Sequence, residues 1–299
     1  PLANGEAAFH VAGDGTARRH FCARVLPQVS RTFSLVIRLL PPSLSHTVGV
    51  SYLVCRIADT LEDQPGIPRE ERLRLLAGLR EAVQDFDKPM QALPLEAFDE
   101  GVRELMAGVE LVLREFEELP PAQRDAIRPW ILEMVDGMAS CLPAIERTGQ
   151  PLFDTVVELR QYCYYVAGTV GQFLTELFCG QHPQPGRVIR ARLAHLAPQF
   201  AQALQLTNIL RDVSADAAQN RNHIPRELWE REGLAPEDLF SPGRERESWA
   251  VLEPLLAEAH ENARAAAEYV ASLPRRSLRA RLFCLTPLLH ACKTLSHIE

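Results

Sequence analysis

Apolar residues recur at three- and four-residue spacing through almost the whole chain, and alternating β-branched runs are rare. A chain patterned this way buries one stripe per segment, which is the habit of amphipathic or buried helices. Proline and glycine supply the punctuation, at 41–42, 64–68, 120–121, 182–186 and 241–243. The pattern predicts helices near 43–63, 68–87, 95–117, 121–146, 152–180, 187–219, 245–272 and 276–297, and no strand. Helices of these lengths suit an all-α bundle whose inward side chains build one central cavity. With 299 residues, 46% of them hydrophobic, one large core is expected over residues 1–299, with 1–16 as a flexible N-terminus. The stretch Pro183–Arg187 reads as a connection rather than a domain linker.

Charge and cysteine usage narrow the function. A net charge of -7 argues against a general nucleic-acid-binding face, so no nucleic-acid partner is expected. Seven cysteines without CxxC or Cys/His metal spacing fit neither a disulfide framework nor a zinc site, and point to a reducing, cytoplasmic setting. No run of about 18 apolar residues predicts a spanning helix, and the first residues lack the pattern of a signal peptide. Arg275, Arg276, Arg279 and Arg281 form a local basic cluster that suits peripheral contact with anionic lipid, a solvated face being the default. Oligomeric state is not written in the sequence, and a monomer is taken as the starting expectation.

Two acidic stripes carry the chemistry. In SYLVCRIADTLED, Tyr52, Arg56, Asp59 and Asp63 share one helical face, while Glu62 points about 100° away and reads as peripheral. Two carboxylates one turn apart repel by a few tenths of a kcal/mol unless a cation bridges them. Mg²⁺ is the natural bridge, because it takes one or two carboxylates together with phosphate and water, and Mn²⁺ is an acceptable substitute. In QLTNILRDVSAD, Gln205, Asn208, Asp212 and Asp216 again share a face, with Arg211 at its margin. One such spacing is weak, since acids at a helix end often only face water, and a buried polar network is the structural alternative for the second. Together the two favour a diphosphate held by metal and arginine. Along 152–180, Tyr165, Gly168 and Gln172 fall on one face, and Ala167, Gly168 and Gly171 either leave room for an apolar substrate or serve close helix packing. His46, His195, His260 and His290 read as packed or solvated.

At these residues the sequence resembles the squalene/phytoene synthase family over about Phe21 to Leu295. The segments that carry the likeness are VSRTFSLVIRLLPP (29–42), YLVCRIADTLED (52–63), YCYYVAGTVGQFLTELF (162–178) and LTNILRDVSADAAQNRNHIP (206–225). The resemblance implies an isoprenoid-synthase fold and head-to-head condensation of two prenyl diphosphates. It implies Mg²⁺ on Asp59, Asp63, Asp212 and Asp216. Diphosphate contacts would come from Ser30, Arg31, Arg56, Gln205, Asn208 and Arg211, with Tyr52, Tyr165, Arg56 and Arg211 at the reacting centre. The wording of these motifs, with RLFCLTP (281–287), sits nearer the squalene-forming members. Those would take farnesyl diphosphate through presqualene diphosphate to squalene with NADPH. Alternatives are a phytoene or diapophytoene synthase needing no reductant, an enzyme stopping at presqualene diphosphate, and a catalytically silent assembly factor. Two departures stand out: Ala215 where an acid is frequent, and Asn222-His223-Ile224 where an aromatic residue is common before Pro225. The second puts the lid-like segment after the second motif in question.

Overall fold

The computed structural model describes residues 14–64, 66–88, 90–145, 151–181, 186–218 and 221–298, with the side chains of Arg31 and of 143–145 outside that description. Among the described residues all regular structure is helical, as the periodicity predicts. Most of the N-terminus expected to be flexible, 1–13, lies outside the described residues. Asp14 is already a cap, its carboxylate accepting from Thr16 N at 2.8 Å and opening the first helix. Residues 183–185 of the expected connection also lie outside. The chain divides into two compact units, with boundaries inside two long helices.

The first unit takes residues up to Ala139 together with Glu176–His182. It contains α1 (Gly15–Val29), α2 (Arg31–Ile37), α3 (Pro42–Asp63), α4 (Arg69–Gln84), a 3₁₀ turn at Leu95–Ala97, α5 (Glu100–Ala107), α6 (Val109–Glu117) and most of α7 (Pro121–Ile145). Helix α3 is its spine. It starts with Pro42 in the first turn, where a missing N–H costs nothing. Leu53, Val54, Ile57, Ala58 and Leu61 are completely buried, and α3 packs against α1, α4 and α6. The predicted helix 95–117 is interrupted at Gly108, where the Phe21 ring occupies the space a side chain would need. Glu62, off the acidic stripe, does not face solvent. It is fully buried, and its backbone carbonyl accepts from Arg72 Nη1 at 2.6 Å. A second buried carboxylate, Glu115, binds Arg18 Nε at 3.4 Å, Arg19 Nε at 3.1 Å and His46 Nε2 at 2.8 Å, so His46 belongs to a charge cluster.

The second unit takes Ser140–Thr175 and Pro183–Glu299. It holds α8 (Val156–Cys163), a π-turn (Tyr164–Gly168), the start of α9 (Thr169–Gly180), α10 (Arg187–Ala218), α11 (Arg226–Glu232), a 3₁₀ turn at Pro236–Asp238, α12 (Glu245–Ser272) and α13 (Leu278–Ile298). Thr155 and Glu158 form a reciprocal capping box that fixes the start of α8. Leu206, Ile209, Leu210 and Val213 of α10 meet Val251, Leu252, Leu255 and Leu256 of α12, with Leu295 of α13, in one apolar core. At 25 cal/mol/Å², each such leucine contributes about 1.5–3 kcal/mol of burial.

The predicted helix 152–180 is interrupted. Thr169 N reaches back five residues to Tyr164 O, inserting a single wide turn. Gly168 lies under the Tyr164 ring, and a Cβ on Gly171 would meet Ala197 O at 2.5 Å. Gly168 and Gly171 therefore serve close packing, and Gly171 leaves no room for a substrate chain. Gln172 has a different task from the one its helical face suggested. Pro198 inside α10 has no N–H to give the carbonyl four residues back. That carbonyl, Ala194 O, instead accepts from Gln172 Nε2 at 3.1 Å.

Candidate active site

In the first unit the motif around Ser30 and the first acidic stripe meet. Ser30 ends α1 and caps α2, its Oγ accepting from Phe33 N at 3.2 Å. The Ser30 hydroxyl lies close enough to Tyr52 to act on its phenol, and the Phe33 and Tyr52 rings stack at 5.6 Å. Burial pushes the Tyr52 phenol above its ordinary value, outweighing the opposing pull of Ser30 and of Arg56. The phenol is thus a hydrogen-bond donor at neutral pH and not a base. One turn on, Arg56 Nη1 donates to Asp59 Oδ2 at 2.5 Å, both side chains being half-buried at the end of an otherwise buried helix. Asp63 follows on the same face, about 6 Å further along the axis. Arg31 falls where no side chain is described.

In the second unit the other stripe lies on about the last four turns of α10. Arg211 forks onto Asp212, with Nε to Oδ1 at 2.8 Å and Nη2 to Oδ2 at 2.5 Å. Gln205 is half-buried and Asn208 exposed on the same face. Asp216 is held from elsewhere: His223 Nδ1 lies 2.9 Å from its Oδ2. Tyr165 sits in the π-turn, its hydroxyl accepting from Gln161 Nε2 at 2.8 Å, which leaves the phenolic proton for another acceptor.

His223 is the site residue that sequence reasoning missed. The segment that carries it is fastened by its own backbone. Leu152 N donates to Asn222 O at 2.8 Å, Arg226 N to Phe153 O at 2.9 Å, and Ile224 N to the Asn222 side chain at 3.0 Å. The Trp229 indole donates to Ile224 O at 2.9 Å. The segment questioned as a lid is therefore pinned, at least over 221–226. A usable signal was present, since Asn222 two residues ahead of Ile224 is an Asx-turn pattern that fixes the residue between them. Beside it lies a cavity of about 230 Å³, with Ile209, Val213, Trp229 and Leu239 as apolar wall and Asp216, Arg221 and His223 as polar wall.

The donor sets fit a hard divalent cation. Each stripe offers two carboxylates one helical turn apart, with a cationic or imidazole side chain steadying one member. Among the described residues no three His, Cys, Asp or Glu side chains gather as a complete metal cage. Two carboxylates with the remaining positions left to phosphate and water is the coordination Mg²⁺ favours.

Comparison with known proteins places the chain. Residues 26–299 match the family described as squalene/phytoene synthase. The squalene synthase of Schizosaccharomyces pombe is 29% identical over 284 residues, covering 93% of this chain and 59% of that protein. Squalene synthase LSS of Botryococcus braunii is 30% identical over 279 residues, covering 92% of this chain and 57% of its own length. The chain thus spans about three fifths of the curated relatives it matches. A solved structure of TcSQS with a bound ligand has a TM-score of 0.80 at 31% identity, over 94% of this chain and 79% of that one. A dehydrosqualene synthase, 23% identical with a TM-score of 0.63 over 94% of this chain and 84% of that one, shares the fold. With a helical structure of the isoprenoid-synthase type among the described residues and a family match over most of its length, this chain belongs to the squalene/phytoene synthase family.

Proposed function

We propose that this protein is a prenyltransferase that joins two farnesyl diphosphates head to head, through presqualene diphosphate, to squalene. The observation that carries the reading is the repeated site chemistry: in each unit an aspartate pair one turn apart, beside an arginine already bonded to one of its members. Asp59, Asp63, Asp212 and Asp216 would hold Mg²⁺, which when bound neutralises diphosphate and stabilises its departing charge. Arg56 and Arg211 supply fixed positive charge for the phosphate oxygens not shared with metal, with Ser30, Arg31, Gln205 and Asn208 as further contacts. Tyr52, kept protonated, donates toward developing negative charge, and Tyr165 has a proton free to do the same. NADPH as hydride source rests on the likeness to squalene synthases alone. In the same reading residues 1–299 act as one helical domain, as a monomer, in the cytoplasm, to which seven free thiols are suited.

The test is product analysis of purified protein with Mg²⁺ and farnesyl diphosphate, with and without NADPH, beside geranylgeranyl diphosphate. An NADPH-dependent C30 hydrocarbon is expected. A hydrocarbon formed equally well without NADPH, or only from the C20 substrate, selects the phytoene or diapophytoene alternative. Accumulation of presqualene diphosphate selects the truncated reaction. Asp59→Asn and Asp212→Asn should each slow diphosphate release by roughly 10²–10³-fold. If both variants keep the wild-type rate, the metal assignment is wrong, and no turnover with any substrate leaves an assembly role for the fold.

A further inference from the structure

Asp212 is engaged by both of its oxygens. Arg211 Nε lies 2.8 Å from Oδ1 and Nη2 lies 2.5 Å from Oδ2, so the whole carboxylate faces one guanidinium fork. Because the two residues follow one another on α10, the fork closes without help from any other segment of chain. The hydrogen bond to Asp212 raises the Arg211 pKa above its ordinary value, outweighing burial, so the pair is held by a net attraction. Yet the side chains are 44% and 41% exposed, and a contact this open to water can be exchanged for a better one.

A carboxylate in this state is a poor first ligand for a divalent ion. Its oxygens face a cation already, and an ion brought to the same group meets the guanidinium charge. Asp216, one turn on, is the opposite case. His223 Nδ1 contacts its Oδ2, while both Arg211 donations go to Asp212. In the first unit the arginine is less committed too, Arg56 reaching Asp59 Oδ2 through Nη1 alone. Diphosphate shifts the balance at Asp212, because it offers the guanidinium a bidentate acceptor of higher charge than a carboxylate.

We infer that Arg211 is a latch on Asp212 that couples metal and diphosphate binding: Asp216 receives the divalent cation first, and Asp212 joins when diphosphate draws the guanidinium away. The positive charge stays at the site and only its partner changes. Cation and diphosphate then raise each other's affinity by more than their direct contact supplies, and by the same factor in both directions. The coupling rests on the proposed roles of Asp212 and Asp216 toward metal and of Arg211 toward diphosphate.

Mn²⁺ binding to the substrate-free chain tests it, read from the electron-spin resonance of the unbound ion, with and without inorganic pyrophosphate. Arg211→Gln opens Asp212 and should tighten Mn²⁺ binding without pyrophosphate by roughly two- to fivefold, the strength of an exposed ion pair. Arg211→Lys keeps the charge but has no fork, and should tighten binding by a smaller factor. Both variants should shrink the factor by which pyrophosphate enhances Mn²⁺ affinity. Adding Asp212→Asn to Arg211→Gln should cancel the gain. Arg192→Gln, which takes an exposed arginine of the same helix from its pair with Glu268, should bind as wild type does. The latch alone is overturned if Asp212→Asn weakens Mn²⁺ binding with pyrophosphate but Arg211→Gln binds the ion no tighter than wild type. It is also overturned if Arg211→Lys equals wild type, since charge and not the fork then sets the affinity. If Asp212→Asn and Asp216→Asn both leave Mn²⁺ affinity with pyrophosphate unchanged, the metal assignment fails and the latch fails with it.

Discussion

His223 Nδ1 and Asp216 Oδ2 are 2.9 Å apart, with the histidine nearly buried on a segment hydrogen-bonded along its backbone to residues 152–154. The second carboxylate of the α10 stripe is thereby aimed by a residue outside the helix. Partners of this kind orient a metal-binding carboxylate, and their loss typically costs 10- to 100-fold in metal affinity. His223→Ala should raise the Mg²⁺ concentration for half-maximal diphosphate release by about tenfold or more. His223→Gln, which keeps a donor, should recover part of the loss. Equal Mg²⁺ titrations for all three proteins would remove His223 from the site.

The Gln172–Ala194 hydrogen bond replaces one that Pro198 deletes. Gln172→Leu should cost about 1–3 kcal/mol in urea unfolding, since it strands a carbonyl inside the packed α9–α10 contact. In a Pro198→Ala background the helix regains its own N–H, and the same Gln172→Leu change should cost much less. A double-mutant cycle with no coupling would show that the two residues act separately.

Glu115 holds the buried Arg18 as well as Arg19 and His46. Glu115→Ala deprives Arg18 of this carboxylate in a dry environment and should destabilise by about 3–5 kcal/mol. Arg19→Ala removes a largely exposed partner and should cost at most about 1 kcal/mol. Comparable losses from the two variants would contradict this ranking.

Burial pushes the Cys22 and Cys55 thiols up to about 12, and raises Cys163 and Cys284 as well. In the unfolded chain these thiols ionise near 8.5, so it loses their protons first as the medium becomes alkaline. Their contribution to stability is therefore complete below about pH 8.5 and declines as pH rises from there toward 12. Urea unfolding at pH 7.5, 9 and 10 should show that decline. At neutral pH a thiol reagent should label the exposed Cys292 first, and Cys292→Ser should abolish the fast phase. Rapid labelling of Cys55 in the folded protein would contradict the burial that sets these values.

Much of the helical layout was legible because its cause is local. Helices predicted over 121–146, 187–219 and 245–272 are observed as Pro121–Ile145, Arg187–Ala218 and Glu245–Ser272. Periodicity and flanking proline or glycine act over a few residues, and nothing distant overrides them there. Where it failed, a distant side chain intervened. At Gly108 a helix is interrupted under the Phe21 ring, which admits no side chain there. Helices α1, α2 and α11 were not foreseen, the last being short and positioned by bonds such as Val156 N to Glu227 Oε1 at 2.6 Å.

The site divides in the same way. The sequence by itself determined that Tyr52, Arg56 and Asp59 share a face, as do Arg211 and Asp212, because residues one turn apart on a helix are neighbours wherever that helix goes. It also determined the family, through ordered motifs spanning most of the chain. Only the tertiary structure decided that Glu62 is buried, that Gln172 serves Pro198, that His223 holds Asp216, and that Leu278 and Leu289 of α13 face outward. Each of these depends on which face of a helix meets another segment of chain. A repeat of 3.6 residues fixes which side chains travel together, but the packing of the whole decides what they meet.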